Sequence, residues 1–262
     1  MTPLSCEVIR VFVLIYARCI GAFFVIPMLP REGMRLIKWV VSFFLALLVC
    51  PSILSKVELP WLDSPLCDIP ALIFLLVGIG VELFLGVIVG LCLKVLFQAV
   101  YVAGELISRV SGFSVVNSFD ATLGSEASAL SSLLYWFSLV IFILLGGMEI
   151  FFDGLLAFFS LNPPGQTLVS DDFLLHFLSI LSNSFLFGFK LSFPIVLTAF
   201  VVYVGLGLNA KLLAQNNLAF LCFNLTSIFS LIVLFLIWGT MESSIRSYML
   251  DGLGRVFIGT SK

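Results

Sequence analysis

Two ionisable side chains, Glu82 and Lys190, stand inside long runs of apolar residues. A charge within an apolar helix is costly in lipid, so it usually faces protein or water and marks a candidate site for proton or ion transfer. A relay needs several linked ionisable groups, and no continuous chain of them accompanies either residue in the sequence. The alternative is a contact between helices that satisfies each charge. The sequence favours this second interpretation.

Residue types that serve catalysis or metal binding are sparse. His176 is the only histidine, and the six cysteines are too isolated to have the spacing of a metal site or a redox pair. No nucleophile–base pair is visible, and no phosphate-binding loop of the GKS or GKT kind occurs. We therefore expect no enzymatic activity, no cofactor and no resident metal. Because no cluster of Lys and Arg occurs, we also expect no nucleic-acid partner.

A ridge of small or polar residues runs along one apolar stretch at every fourth position. Its members are Gly78, Glu82, Gly86, Gly90, Lys94 and Gln98. Such a row winds slowly around a helix, and the GxxxG pair within it lets a neighbouring backbone approach closely. The ridge predicts either packing within this chain or a subunit interface. Because one chain must also bury Glu82 and Lys94, the sequence favours the interface.

The segment from Gly104 to Ala129 is rich in serine, glycine and alanine, with phenylalanine and valine interspersed. It is too apolar for a solvated loop and too broken for a regular spanning helix. Irregular backbone at membrane depth is tolerated only inside protein or along a watery cavity, and an apolar constriction can exclude ions. The segment therefore predicts a deformable stopper in a pore. The alternative is a linker that packs on the helices.

The positions of these residues depend on long apolar helices. Hydrophobic residues make up 61% of the 262 residues and charged residues only 11%. A bilayer crossing takes about 20 apolar residues, so the composition predicts a polytopic all-α membrane-type protein with kinked helical hairpins. Six apolar runs are visible, at about 8–28, 36–54, 70–100, 130–160, 173–208 and 218–240. The third, fourth and fifth runs exceed one simple crossing and must tilt, kink or extend beyond the lipid.

One set of motifs includes Gly104, Glu105, Gly112, Ser114 and Asp120 in the unusual segment. Elsewhere it comprises Arg18, Pro27, Pro51, Glu82, Gly86, Gly90, the Gly146–Gly147 turn, Gly188, Pro194, Leu206, Gly207, Leu208, Lys211, Gln215 and Asn217. These motifs cover nearly the whole chain, and in their order and spacing they resemble the FliR/SctT family of type III secretion export-gate proteins.

The resemblance implies a fold, a location and a set of partners. The single domain 1–262 would resemble a fusion of the FliP and FliQ folds, with a partner-like part at about 1–170, a second helical hairpin at about 171–240 and a short polar tail. The chain would lie in the bacterial inner membrane at the base of a flagellum or injectisome. It would complete a ring with FliP/SctR-like and FliQ/SctS-like subunits and contact an FlhB/SctU-like switch protein. Unfolded export substrates would pass through that ring.

The resemblance also assigns residues to roles. The pore plug would be formed by Gly112, Phe113, Val115, Val116, Phe119 and Asp120. Subunit contacts would come from the ridge and from Lys190, Lys211, Gln215 and Asn217. The main functional hypothesis is thus a core subunit of the type III export gate. Two alternatives remain, a small-solute secondary transporter that uses Glu82 and Lys190 as coupling charges, and a membrane scaffold without a conduit.

Overall fold

The computed structural model describes residues 3–26, 35–54, 69–113, 128–165, 171–208 and 218–258. Within these ranges the chain is helical apart from short turns and contains no β-strand, which confirms the all-α, polytopic membrane-type fold. The helices of this part of the chain are α1 (Pro3–Val25), α2 (Arg35–Leu54), α3 (Ile69–Val110), α4 (Ala129–Leu144), α5 (Gly147–Leu161), α6 (Asp171–Leu208), α7 (Leu218–Leu236) and α8 (Trp238–Ile258).

Two helices are much longer than a bilayer crossing requires. Helix α3 has 42 residues and α6 has 38. At a rise of 1.5 Å per residue they extend about 63 Å and about 57 Å, roughly twice the hydrocarbon thickness of a membrane. Among the described residues, four helices are long and apolar enough to cross a membrane, or up to six if each bent helix pair counts as one span.

Two of the apolar runs are broken by sharp changes of direction in the backbone. Gly146, between α4 and α5, has φ +68°, a left-handed conformation that glycine adopts at no steric cost. This position is the glycine turn expected from the family motif. Helices α7 and α8 meet at Ile237 with a bend of 62°. The residues beyond 240, expected as a short polar tail, continue as helix to Ile258.

The chain divides into two compact units. The first consists of residues 1–95, 146–181 and 252–262, as far as these are described. Its core joins α1, the first part of α3 and α5 through Leu14, Leu93, Phe151 and Phe159, which are almost completely buried. Helix α2 lies beside α1, where the ring of Phe43 packs edge-on against Phe12 at 5.5 Å.

The second unit consists of residues 96–145 and 182–251. In its core, Phe97 at the C-terminal part of α3 packs against Phe142 of α4 with ring centroids 5.2 Å apart. Helix α4 also contacts the start of α8, where the ring centroids of Phe137 and Trp238 lie 4.7 Å apart. The boundary expected near residue 170 is a different division of the chain and stays a prediction.

Candidate functional site

Arg18 of α1 and Glu82 of α3 form an ion pair in the core of the first unit. Arg18 Nε lies 2.5 Å from Glu82 Oε2, and the two side chains are 0% and 1% exposed. The residues are 64 positions apart in the sequence. Each therefore provides the neutralising charge without which the other would be buried at a cost of several kcal/mol, roughly 3–5 in comparable pairs.

The turn that follows α5 completes the polar contacts of this pair. The Arg18 Nη1 group donates to the carbonyl oxygen of Asn162 at 2.9 Å, and the backbone amide of Gly165 donates to Glu82 Oε1 at 2.8 Å. The guanidinium also lies over the rings of Phe158 and Phe159, at 5.0 and 4.8 Å from their centroids. Such cation–π contacts stabilise a desolvated guanidinium further. The network ties α1, α3 and the α5 turn to one point.

The glycines that follow Glu82 bring the backbones of α1 and α3 into direct contact. A side chain at position 86 would overlap the carbonyl group of Arg18, and one at position 90 would overlap that of Ala22. From the other side, a side chain at Gly21 would overlap the carbonyl of Leu83. Small residues at a helix interface permit this close approach. The same register therefore aligns Glu82 with Arg18 and both glycines with α1.

The ridge predicted from the sequence thus divides into two groups. Gly78, Glu82, Gly86 and Gly90 face α1 of the same chain, with Gly78 next to the side chain of Leu14. These are the contacts of the internal-packing alternative, and the interface assignment for these positions stays a prediction. Lys94 is half-buried, whereas Gln98 and Lys190 are exposed.

The second candidate site is the start of the small-residue segment 104–129, at the last turns of α3 and residues 111–113. We call it the root of this segment. Helix α3 ends where Gly112 takes φ +81°, and this buried glycine is followed by the half-buried Phe113. Residues 114–127, and with them the predicted plug residues Val115, Val116, Phe119 and Asp120, lie outside the described part of the chain. The structure therefore locates the beginning of the segment and its far end at Ser128.

A polar cluster joins the two ends of this segment. Ser131 Oγ of α4 donates to Glu105 Oε2 of α3 at 2.9 Å, and Arg109 Nε donates to Glu105 Oε1 at 3.2 Å. Ser128 caps α4 by accepting the Ser131 amide at 3.2 Å. A Cβ atom at Gly104 would lie only 2.6 Å from Ser131 Cα, so α3 and α4 are in backbone contact here. The start of α4, directly after the undescribed residues 114–127, is therefore held against α3 at Gly104 and Glu105.

The last turn of α3 has further contacts. Tyr203 of α6 donates its hydroxyl to the carbonyl of Val110 at 3.1 Å, and Ser227 of α7 donates to the carbonyl of Ser111 at 2.6 Å. The last carbonyls of a helix have no partner within the helix. Here two of them are satisfied by neighbouring helices, which fixes the position from which the segment departs.

Sequence reasoning identified some of these residues and missed others. Arg18 was noted only as part of a family motif, and its partner could not be deduced from spacing because the two lie 64 positions apart. Asn162 and Gly165 were missed, although the Asn-Pro-Pro-Gly sequence at 162–165 is a strong turn signal. Lys211, Gln215 and Asn217 lie outside the described residues.

Comparison with known proteins connects this architecture to protein export. A model of the family described as "Bacterial export proteins, family 1" matches residues 9–251. The secretion system apparatus protein SsaT of Salmonella typhimurium is 30% identical over 58% of this chain and 60% of its own length. The flagellar biosynthetic protein FliR of Aquifex aeolicus is 28% identical over 88% of this chain and 86% of its own, and FliR of Bacillus subtilis is 26% identical over 79% and 77%.

Flagellar and secretion-system proteins both occur among these relatives, which agrees with the resemblance found in the sequence motifs. The matched region contains Arg18, Glu82, the ridge glycines and the root of the small-residue segment. Because the family model covers all but the first 8 and last 11 of the 262 residues, the chain belongs to family 1 of the bacterial export proteins.

Proposed function

We propose that this chain is a core subunit of a type III protein export gate, flagellar or injectisome, in the bacterial inner membrane. It would complete a ring with FliP/SctR-like and FliQ/SctS-like subunits and contact an FlhB/SctU-like switch protein. Unfolded proteins would pass through the ring, and the chain itself would catalyse no reaction. The match of the export family over residues 9–251 is the single observation that carries this proposal.

The surface of the described helices supports assembly in or near a membrane. Large apolar side chains are exposed along α2, the start of α3 and α6. Examples are Leu36, Phe44, Leu48, Phe74, Leu76, Phe185, Phe200 and Leu208, each more than half exposed. Monomeric soluble proteins rarely expose contiguous apolar areas of this kind, so lipid or partner subunits must cover them.

The closure of the conduit is assigned to the segment that begins at Gly112. We place the plug at Gly112, Phe113, Val115, Val116, Phe119 and Asp120, where apolar side chains would exclude water and Gly112 would supply backbone freedom. The polar cluster of Glu105 and Ser131 would hold α4 to α3 on either side of the plug segment. An arriving substrate would then displace the segment between them.

The proposed subunit interface comprises the ridge together with Lys190, Lys211, Gln215 and Asn217. The single-chain contacts refine this proposal. Gly78, Glu82, Gly86 and Gly90 would act indirectly, by fixing α3 against α1. Lys94, Gln98 and Lys190 are half-buried or exposed and would be available to a neighbouring subunit.

Co-expression tests the assembly. The chain is produced with FliP/SctR-like and FliQ/SctS-like subunits from the same genome, purified in mild detergent and weighed by native mass spectrometry. The expected species contains many copies of the small subunits and one copy of this chain. A monodisperse chain that never associates with these subunits would contradict the proposal.

Substitution of the plug distinguishes a gate from a scaffold. In the assembled complex, Phe113→Ala combined with Phe119→Ala should raise the ion conductance of the membrane, because the apolar closure loses most of its volume. The control replaces Phe44 and Phe74, which are exposed on α2 and α3, by alanine. A scaffold without a conduit predicts no change in conductance for either pair.

The transporter alternative receives no support from the geometry. It required Glu82 as a coupling charge, and this carboxylate is paired with Arg18 and accepts the Gly165 amide, with a side chain that is 1% exposed. Purified protein in liposomes provides the test, since a transporter moves solute without partner subunits. The export gate predicts no such activity for the isolated chain.

A further inference from the structure

A cavity of about 400 Å³ lies in the second unit between α6 and the polar face of α8. This volume is within the range of small-molecule sites, roughly 300–1,000 Å³. Its floor is apolar, with Phe187, Leu191 and Pro194 from α6 and Met241 from α8. None of these residues belongs to the ion pair or to the root of the small-residue segment.

The α8 side of the cavity presents hydrogen-bond acceptors. The Thr240 hydroxyl donates to the carbonyl of Ile237, just before α8, at 2.7 Å, and those of Ser244 and Ser247 donate to carbonyls within α8 at 2.7 and 3.1 Å. Tyr248 donates to Ser184 Oγ at 2.7 Å. A hydroxyl has only one proton, so the free lone pairs of these oxygens remain as acceptors. Together with the carboxylate of Asp251, which also lines the cavity, they form a surface suited to a cationic donor.

The α6 side presents the opposite charge. Lys190 lines the same cavity, and neither Lys190 nor Asp251 takes part in any ion pair among the residues that the structure describes. An ammonium group brings three donors and no acceptor, which suits a phosphate. The cavity therefore offers one anion-binding group and one cation-binding surface within a single space.

We propose that this cavity binds the headgroup of a phospholipid that carries a primary amine, such as phosphatidylethanolamine. The phosphate would contact Lys190, and the ammonium group would donate to Asp251 and the hydroxyl oxygens of α8. An anionic headgroup without an amine would meet the Asp251 carboxylate unfavourably. A quaternary choline has no N–H to donate to these acceptors.

The surroundings of the cavity suit the acyl chains of such a lipid. Phe189 and Phe193 are about half exposed on α6, next to the lining residues of that helix, and their ring centroids lie 6.3 Å apart. Basic side chains between membrane helices are known to recognise lipid phosphates. The inference rests on the residues of this cavity and not on the export role, but it assigns Lys190, named above as available to a neighbouring subunit, to a lipid instead.

Lipid retention tests the proposal. The full chain is purified, delipidated and offered equal amounts of phosphatidylethanolamine, phosphatidylglycerol and phosphatidylcholine with identical acyl chains. Native mass spectrometry then counts the bound lipids. We expect about a tenfold preference for phosphatidylethanolamine, equivalent to roughly 1.4 kcal/mol. Equal retention of the three lipids, or a preference for phosphatidylglycerol, would overturn the proposal.

Two substitutions test the roles of Lys190 and Asp251 separately. Lys190→Gln should lower retention of all three lipids, because all carry the phosphate. Asp251→Asn should abolish only the preference for the amine headgroup, so that phosphatidylethanolamine and phosphatidylglycerol bind alike. Matched controls are Arg246→Gln and Glu242→Gln, exposed on α8 and outside the cavity, which should leave retention unchanged. Retained preference in Asp251→Asn would contradict the assignment, and Lys190→Arg should preserve binding if the variant chain is folded.

Two further measurements identify what binds in the cavity. Free phosphoethanolamine, which has the headgroup without acyl chains, should not displace the lipid at equal concentration, and displacement would show that the cavity takes a soluble ligand instead. The same count is made on the chain purified with its partner subunits. Loss of the amine-lipid preference in that complex would mean that a partner subunit fills the cavity, and would overturn the proposal for the assembled state.

Discussion

The carbonyl oxygen of Arg18 lies where the side chain of any residue other than glycine at position 86 would have to be. Arg18 therefore contacts α3 twice, through its backbone at Gly86 and through its guanidinium at Glu82. The close approach of the two helices brings the charges together, and the charges fix the register of the helices. Packing and ion pairing at this point depend on each other.

Gly86→Ala should therefore destabilise the protein. The new methyl group forces α1 and α3 apart, an overpacking effect that costs about 1–3 kcal/mol. Gly80→Ala is the matched control on the same helix, because a Cβ atom there meets nothing within 4 Å. It should stabilise the protein by about 0.5–1 kcal/mol through helix propensity. Thermal unfolding in detergent measures both, and equal melting temperatures for the two variants would contradict the packing argument.

Replacement of one member of the ion pair should lower the free energy of unfolding more than replacement of both. Glu82→Gln leaves the Arg18 guanidinium buried without a countercharge, at a cost of about 3–5 kcal/mol. The double variant Arg18→Met, Glu82→Met should recover most of that stability, since apolar side chains of similar volume replace the pair.

A double-mutant cycle of Arg18→Met, Glu82→Met and the double variant, measured by denaturant unfolding, checks this coupling. Glu149→Gln, at an exposed position of α5, serves as the control and should change little. Additive effects of the two single substitutions would mean that the Arg18–Glu82 contact does not contribute to stability.

The hydrogen bond between Ser131 and Glu105 should control the closure of the proposed gate. Ser131→Ala removes the hydrogen bond that holds the start of α4, directly after residues 114–127, to Glu105 of α3. We expect a higher ion conductance of the assembled complex, with a smaller effect on its thermal stability of about 1 kcal/mol. Ser132→Ala, one residue along α4, is the control. Unchanged conductance in Ser131→Ala would mean that the polar cluster does not control gating.

Gly112→Ala should disturb the departure of the same segment. An L-residue at φ +81° is strained by about 1–2 kcal/mol, so α3 should extend or the segment should shift. Asn tolerates left-handed backbone better than Ala, and Gly112→Asn should be the milder variant. The ion conductance of the assembled complex is measured for the unchanged protein, Gly112→Asn and Gly112→Ala, and should rise in that order. A reversed order for the two variants would show that backbone conformation at 112 does not govern closure.

The sequence predicted the helices well because hydrophobicity dominates their formation. The apolar runs became α1 to α7, and the glycine turn at 146 was anticipated from its motif. Helix α8 was missed beyond residue 240, because Glu242, Ser244 and Arg246 interrupt the apolar pattern. The cavity beside α8 explains part of that polarity, since Ser244 lines it.

Several residues of the site could be predicted from the sequence, but the contacts between them could not. The four-residue spacing of the ridge correctly indicated close approach of another backbone to Gly86 and Gly90. The identity of that backbone, α1 of the same chain, could not be read from periodicity. Nor could the pairing of Arg18 with Glu82, because contacts between distant residues depend on tertiary structure that a local pattern does not encode.

The separation of Arg18 and Glu82 along the chain also imposes a delay during biosynthesis. Ribosomes add about 5–20 residues per second, so translation from Arg18 to Glu82, 64 positions further along the chain, takes roughly 3–13 s. During that interval the nascent α1 carries the Arg18 guanidinium without Glu82, its partner in the folded protein. A chain that stalls before residue 82 therefore lacks the carboxylate that neutralises Arg18 in the folded protein.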